Sequence, residues 1–298
     1  MSKVRVDQLS PTDDSKTINV ADIATQQDIN DLVTELEGDI PFRYSSSPVA
    51  GMEAINSRAN NRYRIGTFNT YVGYWNNFST NGDNGYGINI KYIQEMILRY
   101  QLDFCGFQEF QSAPSYPISC LSIYPYVGAY FGKVTPISDH NGSSKFNSGN
   151  AITYNGSVAS TSSAVYTAGA TTDKRGYIRT VHSVRGISVA VYVTHLANTD
   201  AATRQAQMTE LAAIVATDSA SRVIVMGDFN TSTVSDFSAF TSIGFAMANN
   251  NDVNTSADGT WYIDNVLYKG FSSLVLKGAG TPYTYISDHK MFYAEFEV

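Results

Sequence analysis

The sequence predicts a layered α/β fold with mixed β-sheets, and three observations carry that prediction. Strand-like apolar runs outnumber helical periods. The two helical periods of the long C-terminal part are separated by several such runs, without one-to-one alternation. The 298 residues at 43% apolar composition supply a full core, and that length suits one large domain with a small appendage.

The appendage is the first 60 residues. Residues 2–24 lack sustained periodicity and include the turn-rich Ser10-Pro11-Thr12-Asp13-Asp14. Thr25 and Asp28 resemble a capping box with Asp in place of Glu, which predicts a helix over 26–37. Ile29, Leu32, Val33 and Leu36 share one face of it, and Gly38 ends it. About three turns are too few to stand alone in water, so the stripe needs a partner: its own main domain or copies of itself. Ser45 to Asn61 reads as a linker. The chain thus divides into an arm, 1–60, and a main domain, 61–298.

In the main domain, Tyr63 to Asn69 alternates as a strand does, and Ile90, Ile93, Ile97 and Tyr100 predict a helix over 88–100. Asp103 to Phe107 is a buried-strand candidate leading into Gln108-Glu109. Val189 to Val193 is another, leading into Thr194-His195-Leu196. A helix over 200–216 follows, with Met208, Leu211, Ala212 and Val215 on one face. Arg222 to Met226 is a strand ending in Gly227-Asp228-Phe229-Asn230. Tyr262 to Tyr268 and Met291 to Val298 complete the apolar set.

Composition removes several classes. Ser, Thr and Asn total 80 and Tyr 20, which suits a polar, aromatic surface with many loops and not disorder. No run of 18 apolar residues occurs, so no membrane span is expected. The opening MSKVRVDQLSPTDD lacks an apolar core, so a conventional signal peptide is not expected. Two cysteines, Cys105 and Cys120, argue against a disulfide scaffold or a zinc–thiolate site. The net charge of −7 sits mostly in residues 1–60, with five Lys/Arg against ten Asp/Glu. The main domain has 15 against 17, so its charge does not forbid a polyanionic substrate.

The recurring event is a strand ending in a metal-ligand or proton-transfer residue: Asn69, Glu109, His195, Asp228 with Asn230, Asp264, and Asp288 with His289. A lone Asp after a strand is usually a turn former, but so many such positions together point to a site. Gly66-Thr67-Phe68-Asn69, Phe107-Gln108-Glu109, Ser148-Gly149-Asn150-Ala151-Ile152, Thr194-His195-Leu196, Gly227-Asp228-Phe229-Asn230, Ile263-Asp264 and Ser287-Asp288-His289 resemble, in order, the motifs of the endonuclease/exonuclease/phosphatase (DNase I-like) superfamily. The resemblance covers about 62–298. It implies a four-layer α/β sandwich, with two mixed sheets face to face and helices outside.

It also implies a phosphoric-ester hydrolase. Displacement at phosphorus builds negative charge on oxygen, so the site needs a hard cation, an activated water and donors around the phosphoryl oxygens. Oxygen ligands suit Mg²⁺ or Mn²⁺, with Ca²⁺ a further option. Glu109 matches the family's metal-binding glutamate, with Asp288 a second ligand and Asn69 an amide for metal or phosphate. His289 matches the histidine acting on the attacking water, and Asp264 the carboxylate orienting it. Asp228 and Asn230 bind phosphate, position the nucleophile and assist the leaving group by the same resemblance, and His195 donates to a phosphoryl oxygen. Arg175 is the better match to a phosphate-contacting arginine, and Arg179 the alternative. Tyr71 stands where abasic-site enzymes carry an acid, and Asn265 where an aromatic residue or His is usual.

Lys3 to Asp14, continuing through Thr17 to Asp22, is similar to the start of phage tail and appendage proteins. That implies a virion location facing the host surface, with residues 1–40 holding a homotrimer or other virion proteins. Three readings follow: a DNase-like nuclease, a phosphodiesterase acting on a host-surface polymer, and a non-catalytic receptor-binding module on the same fold.

Overall fold

The computed structural model describes residues 3–5, 17–19, 61–71, 93, 96–97, 99–112, 128–137, 146–169, 174–184, 186–280 and 287–298. The chain divides into two units, Met1–Ser57 and Arg58–Val298. In the first, β1 (Lys3–Arg5) and β2 (Thr17–Asn19) pair antiparallel with Val4 opposite Ile18. Strands of three residues are too short to show a period in sequence. The helix predicted over 26–37 and the linker to residue 60 lie outside the described residues.

The second unit carries β3 (Arg62–Asn69), β4 (Phe104–Ser112), β5 (Gly128–Ile137), β6 (Phe146–Tyr154), β7 (Ser157–Val165), β8 (Gly176–Val184) and β9 (Ile187–His195). The helix α1 (Ala201–Ala216) follows, then β10 (Arg222–Asp228), a short α2 (Ser238–Thr241), β11 (Ala246–Met247), β12 (Asp264–Lys269), β13 (Ser273–Gly280) and β14 (Met291–Glu297). Two six-stranded sheets result, ordered β13-β14-β3-β4-β6-β5 and β11-β12-β10-β9-β8-β7. The pairs β3/β4 and β9/β10 are parallel and their neighbours antiparallel, so both sheets are mixed, as the sequence predicts.

Period-2 side-chain alternation divides each inner strand between two layers. On β9, Val189, Val191 and Val193 join Ile65, Phe104, Ile224 and Phe292 in the core between the sheets. Ala190 and Tyr192 point the other way, to Met208, Leu211 and Val215 of α1. Asp200 caps α1 by accepting from the Ala202 and Thr203 amides at 3.1 and 3.0 Å. The sheets approach closely at Gly106, where a Cβ would lie 2.8 Å from Val193 Cγ2.

Residues 93, 96, 97 and 99 are helical within the predicted 88–100 segment, and Ile93, Met96 and Ile97 are buried. β3 differs from the half-exposed strand its alternation suggests. It is buried on both faces from Tyr63 to Asn69, because Tyr63 and Ile65 face the opposing sheet while Arg64 and Gly66 lie against Tyr100 and Leu102 on the other side. Its polar face therefore needs partners within the protein. Arg64, fully buried, bonds Glu295 Oε2 through Nε at 3.0 Å and Nη2 at 2.5 Å, and its Nη1 donates to the Tyr100 carbonyl. Cys105 is a buried free thiol, and Cys120 lies outside the described residues.

Candidate active site

One edge of the sandwich gathers the polar strand termini. Asn69 ends β3, His195 ends β9 and Asp228 ends β10; Asp264 begins β12, and Asp288 and His289 lie one residue short of β14. The registers place them together: Asp228 lies opposite His195 on one side and Asp264 on the other. Asn69 lies opposite Gln108. Because β12 and β14 run antiparallel to β10 and β3, their starts meet the others' ends.

Glu109 departs from the strand-end pattern. β4 continues to Ser112, and Glu109 sits on a β-bulge between Phe107 and Phe110 with a left-handed φ of 52°. The bulge keeps both phenylalanines fully buried while sending the carboxylate toward the cleft, at a backbone cost of about 1–3 kcal/mol. In the Gly-Asp-Phe-Asn turn, a Cβ on Gly227 would sit 2.0 Å from the Thr194 carbonyl oxygen, so only glycine lets β10 lie so close to β9 there. Phe229 is buried and anchors the turn. Asn230, with φ 52°, donates its backbone N–H to Asp228 Oδ1 at 2.8 Å and its side-chain amide to the Leu196 carbonyl at 2.9 Å.

The centre is the pair His289–Asp264, with Nδ1 to Oδ2 at 2.8 Å. His289 Nε2 then faces Asp228 Oδ2 at 3.7 Å and Asp288 Oδ1 at 3.9 Å. Asn69 Nδ2 donates to Asp228 Oδ2 at 2.9 Å and to Glu109 Oε1 at 3.3 Å, while its Oδ1 accepts from the Tyr71 N–H. Asn69 therefore orients two carboxylates. His195 Nε2 lies 3.4 Å from Asp228 Oδ2 and 4.0 Å from Glu109 Oε1, and Arg175 Nη1 sits against both ring nitrogens, 2.8 Å from Nδ1 and 3.2 Å from Nε2. Ser287 Oγ donates to the Asn69 carbonyl at 2.6 Å and accepts from the His289 N–H, tying the approach to β14 onto the end of β3.

Burial alone would lower the His289 pKa, but the adjacent Asp264 carboxylate and its hydrogen bond, then Asp228 and Asp288, push it up to about 10. Burial raises Asp228 to about 7, opposed by the charge of His289 and reinforced by Asp264. Burial, with the positive charges of Arg175 and His289, holds His195 well below the usual histidine value and neutral.

Seven of the nine expected residues line one cleft of about 370 Å³, and Asp264 and Arg175 reach it through His289 and His195. Arg179 belongs elsewhere: it pairs with Asp218 at 2.7 Å and with the Tyr192 hydroxyl. Four lining residues carry no sequence-based role: Tyr71, Asn198, Trp261 and Ile263. Their one available signal was proximity, since Asn198 follows His195 by three residues and Trp261 precedes Asp264 by three. The Trp261 and His289 rings lie 5.9 Å apart. Asn265 fills its unusual position by bonding both the N–H and the carbonyl of Asn249.

The donors present fit a hard cation. Glu109 and Asp288 are 28% and 38% exposed, and Asp264 Oδ1 and Asp288 Oδ1 are buried oxygens with no hydrogen-bond partner. Among the described residues, the acid/histidine group whose ligand atoms lie mutually within 4.8 Å is Asp228, Asp264 and His289. This is not the expected set of Glu109, Asp288 and Asn69. Two of its three members already bond each other, whereas Glu109 and Asp288 open toward the cleft.

The family model for the Endonuclease/Exonuclease/phosphatase family matches residues 66–289. A search of curated proteins gives no match. Similar solved structures include an endonuclease/exonuclease/phosphatase from Beutenbergia cavernae (TM-score 0.64, 17% identity, covering 80% of this chain and 72% of that one). The human Nocturnin catalytic domain with bound sulfate anion matches at TM-score 0.59 and 19% identity, covering 80% and 93%. A mannosyl-6-phosphatase from Bacteroides thetaiotaomicron matches at 0.54 and 15%, covering 79% and 100%. At these identities the structures speak for the fold, the sandwich of two mixed sheets, and the matched family model speaks for ancestry: the chain belongs to the endonuclease/exonuclease/phosphatase family.

Proposed function

We propose that the main domain, 61–298, is a divalent-metal-dependent phosphoric-ester hydrolase that cleaves a phosphodiester by in-line attack of an activated water. The observation that carries this reading is the Asp264–His289 pair, with Nε2 turned to Asp228 across the cleft that Glu109 and Asp288 also line. Asp264 accepts from Nδ1–H, which fixes the ring and leaves Nε2 to exchange a proton with the attacking water. Asp228, held by Asn69 and the Asn230 N–H, faces the same position and orients that water. His195 and Arg175 supply donors to phosphoryl oxygens, where charge develops in the transition state. Glu109 and Asp288 would hold Mg²⁺ or Mn²⁺, with Asn69 steering the Glu109 carboxylate. The cation would neutralise charge on the phosphoryl and leaving oxygens.

Between substrates, the cleft favours a phosphodiester-containing host-surface polymer over DNA. Trp261 and Tyr71, 40% and 36% exposed, offer ring faces beside asparagine amides, and the main domain lacks the excess of cations that non-specific DNA binding needs. The arm's sequence resemblance supports carriage on a phage particle, with residues 1–40 as a trimeric anchor; the molar mass of the full chain in solution tests this, and a monomer would sink it. The substrate test incubates the protein and Mg²⁺ with host envelope and, separately, with plasmid DNA. Release of sugar phosphates at catalytic protein levels is expected. DNA cleavage at lower enzyme concentration would instead make it a nuclease, and tight cell binding with neither activity would favour the receptor-binding reading.

A further inference from the structure

The Arg175–Gly176 step is gripped by three residues, two of them on strands. The Arg175 carbonyl accepts from the backbone N–H of Tyr166, next to β7, at 2.9 Å. The Gly176 carbonyl accepts twice, from Asn150 Nδ2 of β6 at 2.9 Å and from Thr194 Oγ1 of β9 at 3.1 Å. The Tyr166 hydroxyl bonds the same Thr194 Oγ1 at 2.7 Å, so Thr194 relays between tyrosine and carbonyl. All three side chains are buried, at 1% exposure or less. At Gly176 itself a Cβ would lie 2.4 Å from the Ala164 carbonyl oxygen, so the backbone there has no slack. Of these contacts only Asn150 reaches across from the other sheet, the one that carries Asn69 and Glu109. Arg175 projects from the gripped step onto His195.

We propose that Asn150 is a positioning residue: its inter-sheet hydrogen bond to the Gly176 carbonyl sets the Arg175 guanidinium against His195 and in register with the carboxylates of the opposite sheet. The inference rests on the hydrolase reading for what Arg175 does, but the placement of Arg175 is independent of it. A buried amide spent on a carbonyl beside an arginine stabilises the fold modestly. Its larger effect comes through a charged donor, whose contact with a phosphoryl oxygen weakens sharply when misplaced.

The test is a double-mutant cycle on Asn150→Ala and Arg175→Ala, with Thr194→Val, nearly isosteric, as a second route to the same carbonyl. Hydrolysis of bis-p-nitrophenyl phosphate with Mn²⁺ is followed at varied substrate. Asn150→Ala should raise KM by about tenfold, the scale of one charge-assisted contact, and should change KM no further in the Arg175→Ala background. Equal effects in both backgrounds would mean a merely structural role and overturn the proposal. An inactive wild type would instead overturn the hydrolase reading. In that case crystal structures of the wild type and Asn150→Ala decide: the guanidinium should leave His195 in the variant, and an unmoved Arg175 refutes the positioning role.

Discussion

Among the described residues, the histidine that the site does not use makes a sharp prediction about acid stability. His182, on β8, is 1% exposed, with its ring centroid 4.7 Å from that of Phe104 and 4.8 Å from that of Tyr154. Its Nε2 pairs with Thr180 Oγ1 at 2.7 Å, and Nδ1 is buried without a hydrogen-bond partner. Burial lowers its pKa from 6.5 to about 4. The folded-state value therefore lies below the unfolded one. Well above pH 6.5 both states are neutral and His182 contributes nothing to the pH dependence. As pH falls from 6.5 toward 4, the unfolded chain takes a proton that the folded chain refuses, and stability is lost. At pH 5 that difference amounts to about 2 kcal/mol. His182→Leu removes the titration and the unpaired nitrogen together. In urea unfolding at pH 7.5 and pH 5, the wild type should lose about 2 kcal/mol more than the variant between the two conditions. Equal losses would refute the placement of a neutral histidine between the sheets.

Three further outcomes follow from the same geometry. Glu295→Leu strands the fully buried Arg64 charge and should cost about 3–5 kcal/mol in chemical denaturation; a cost under about 1 kcal/mol would contradict the pairing. Gly227→Ala forces a Cβ into the Thr194 carbonyl and should destabilise by more than about 4 kcal/mol or abolish soluble expression, whereas a folded, active variant would contradict the strand contact. Asp264→Asn keeps the shape but alters the hydrogen bond that fixes His289, so kcat should fall about 10²–10⁴-fold with KM little changed, and an unaltered kcat would remove Asp264 from the mechanism.

What the sequence made legible is what burial writes into local pattern. β9, β10 and β14 are apolar because both faces are covered, and α1 shows its stripe because one face is. β7, Ser157–Val165, left no such trace: it is an edge strand, exposed along almost its whole length, so nothing selects a period in its Ser/Thr-rich run. The site residues were legible as polar punctuation after apolar strands. Their convergence was not, because it depends on registers such as Asp228 opposite both His195 and Asp264. Glu109 lines the cleft, but it lies on a bulge within β4 and not past a strand end, and a bulge leaves no signature in residue type. Arg175 and Arg179 were separable only once β8 placed the second beside Asp218. Trp261 and Asn198 lie outside the strands, where position in the cleft is set by neighbouring elements.

The most direct measurement is hydrolysis of bis-p-nitrophenyl phosphate by the purified protein with Mg²⁺ or Mn²⁺, beside its Glu109→Ala and His289→Ala variants. The wild type should turn the ester over, lose activity to a chelator and regain it when the metal is restored. Each variant should fall by about 10²-fold or more, since Glu109 lines the cation side of the cleft and His289 faces the attacking water. Full activity in both variants would contradict the assignment of this cleft as the catalytic centre.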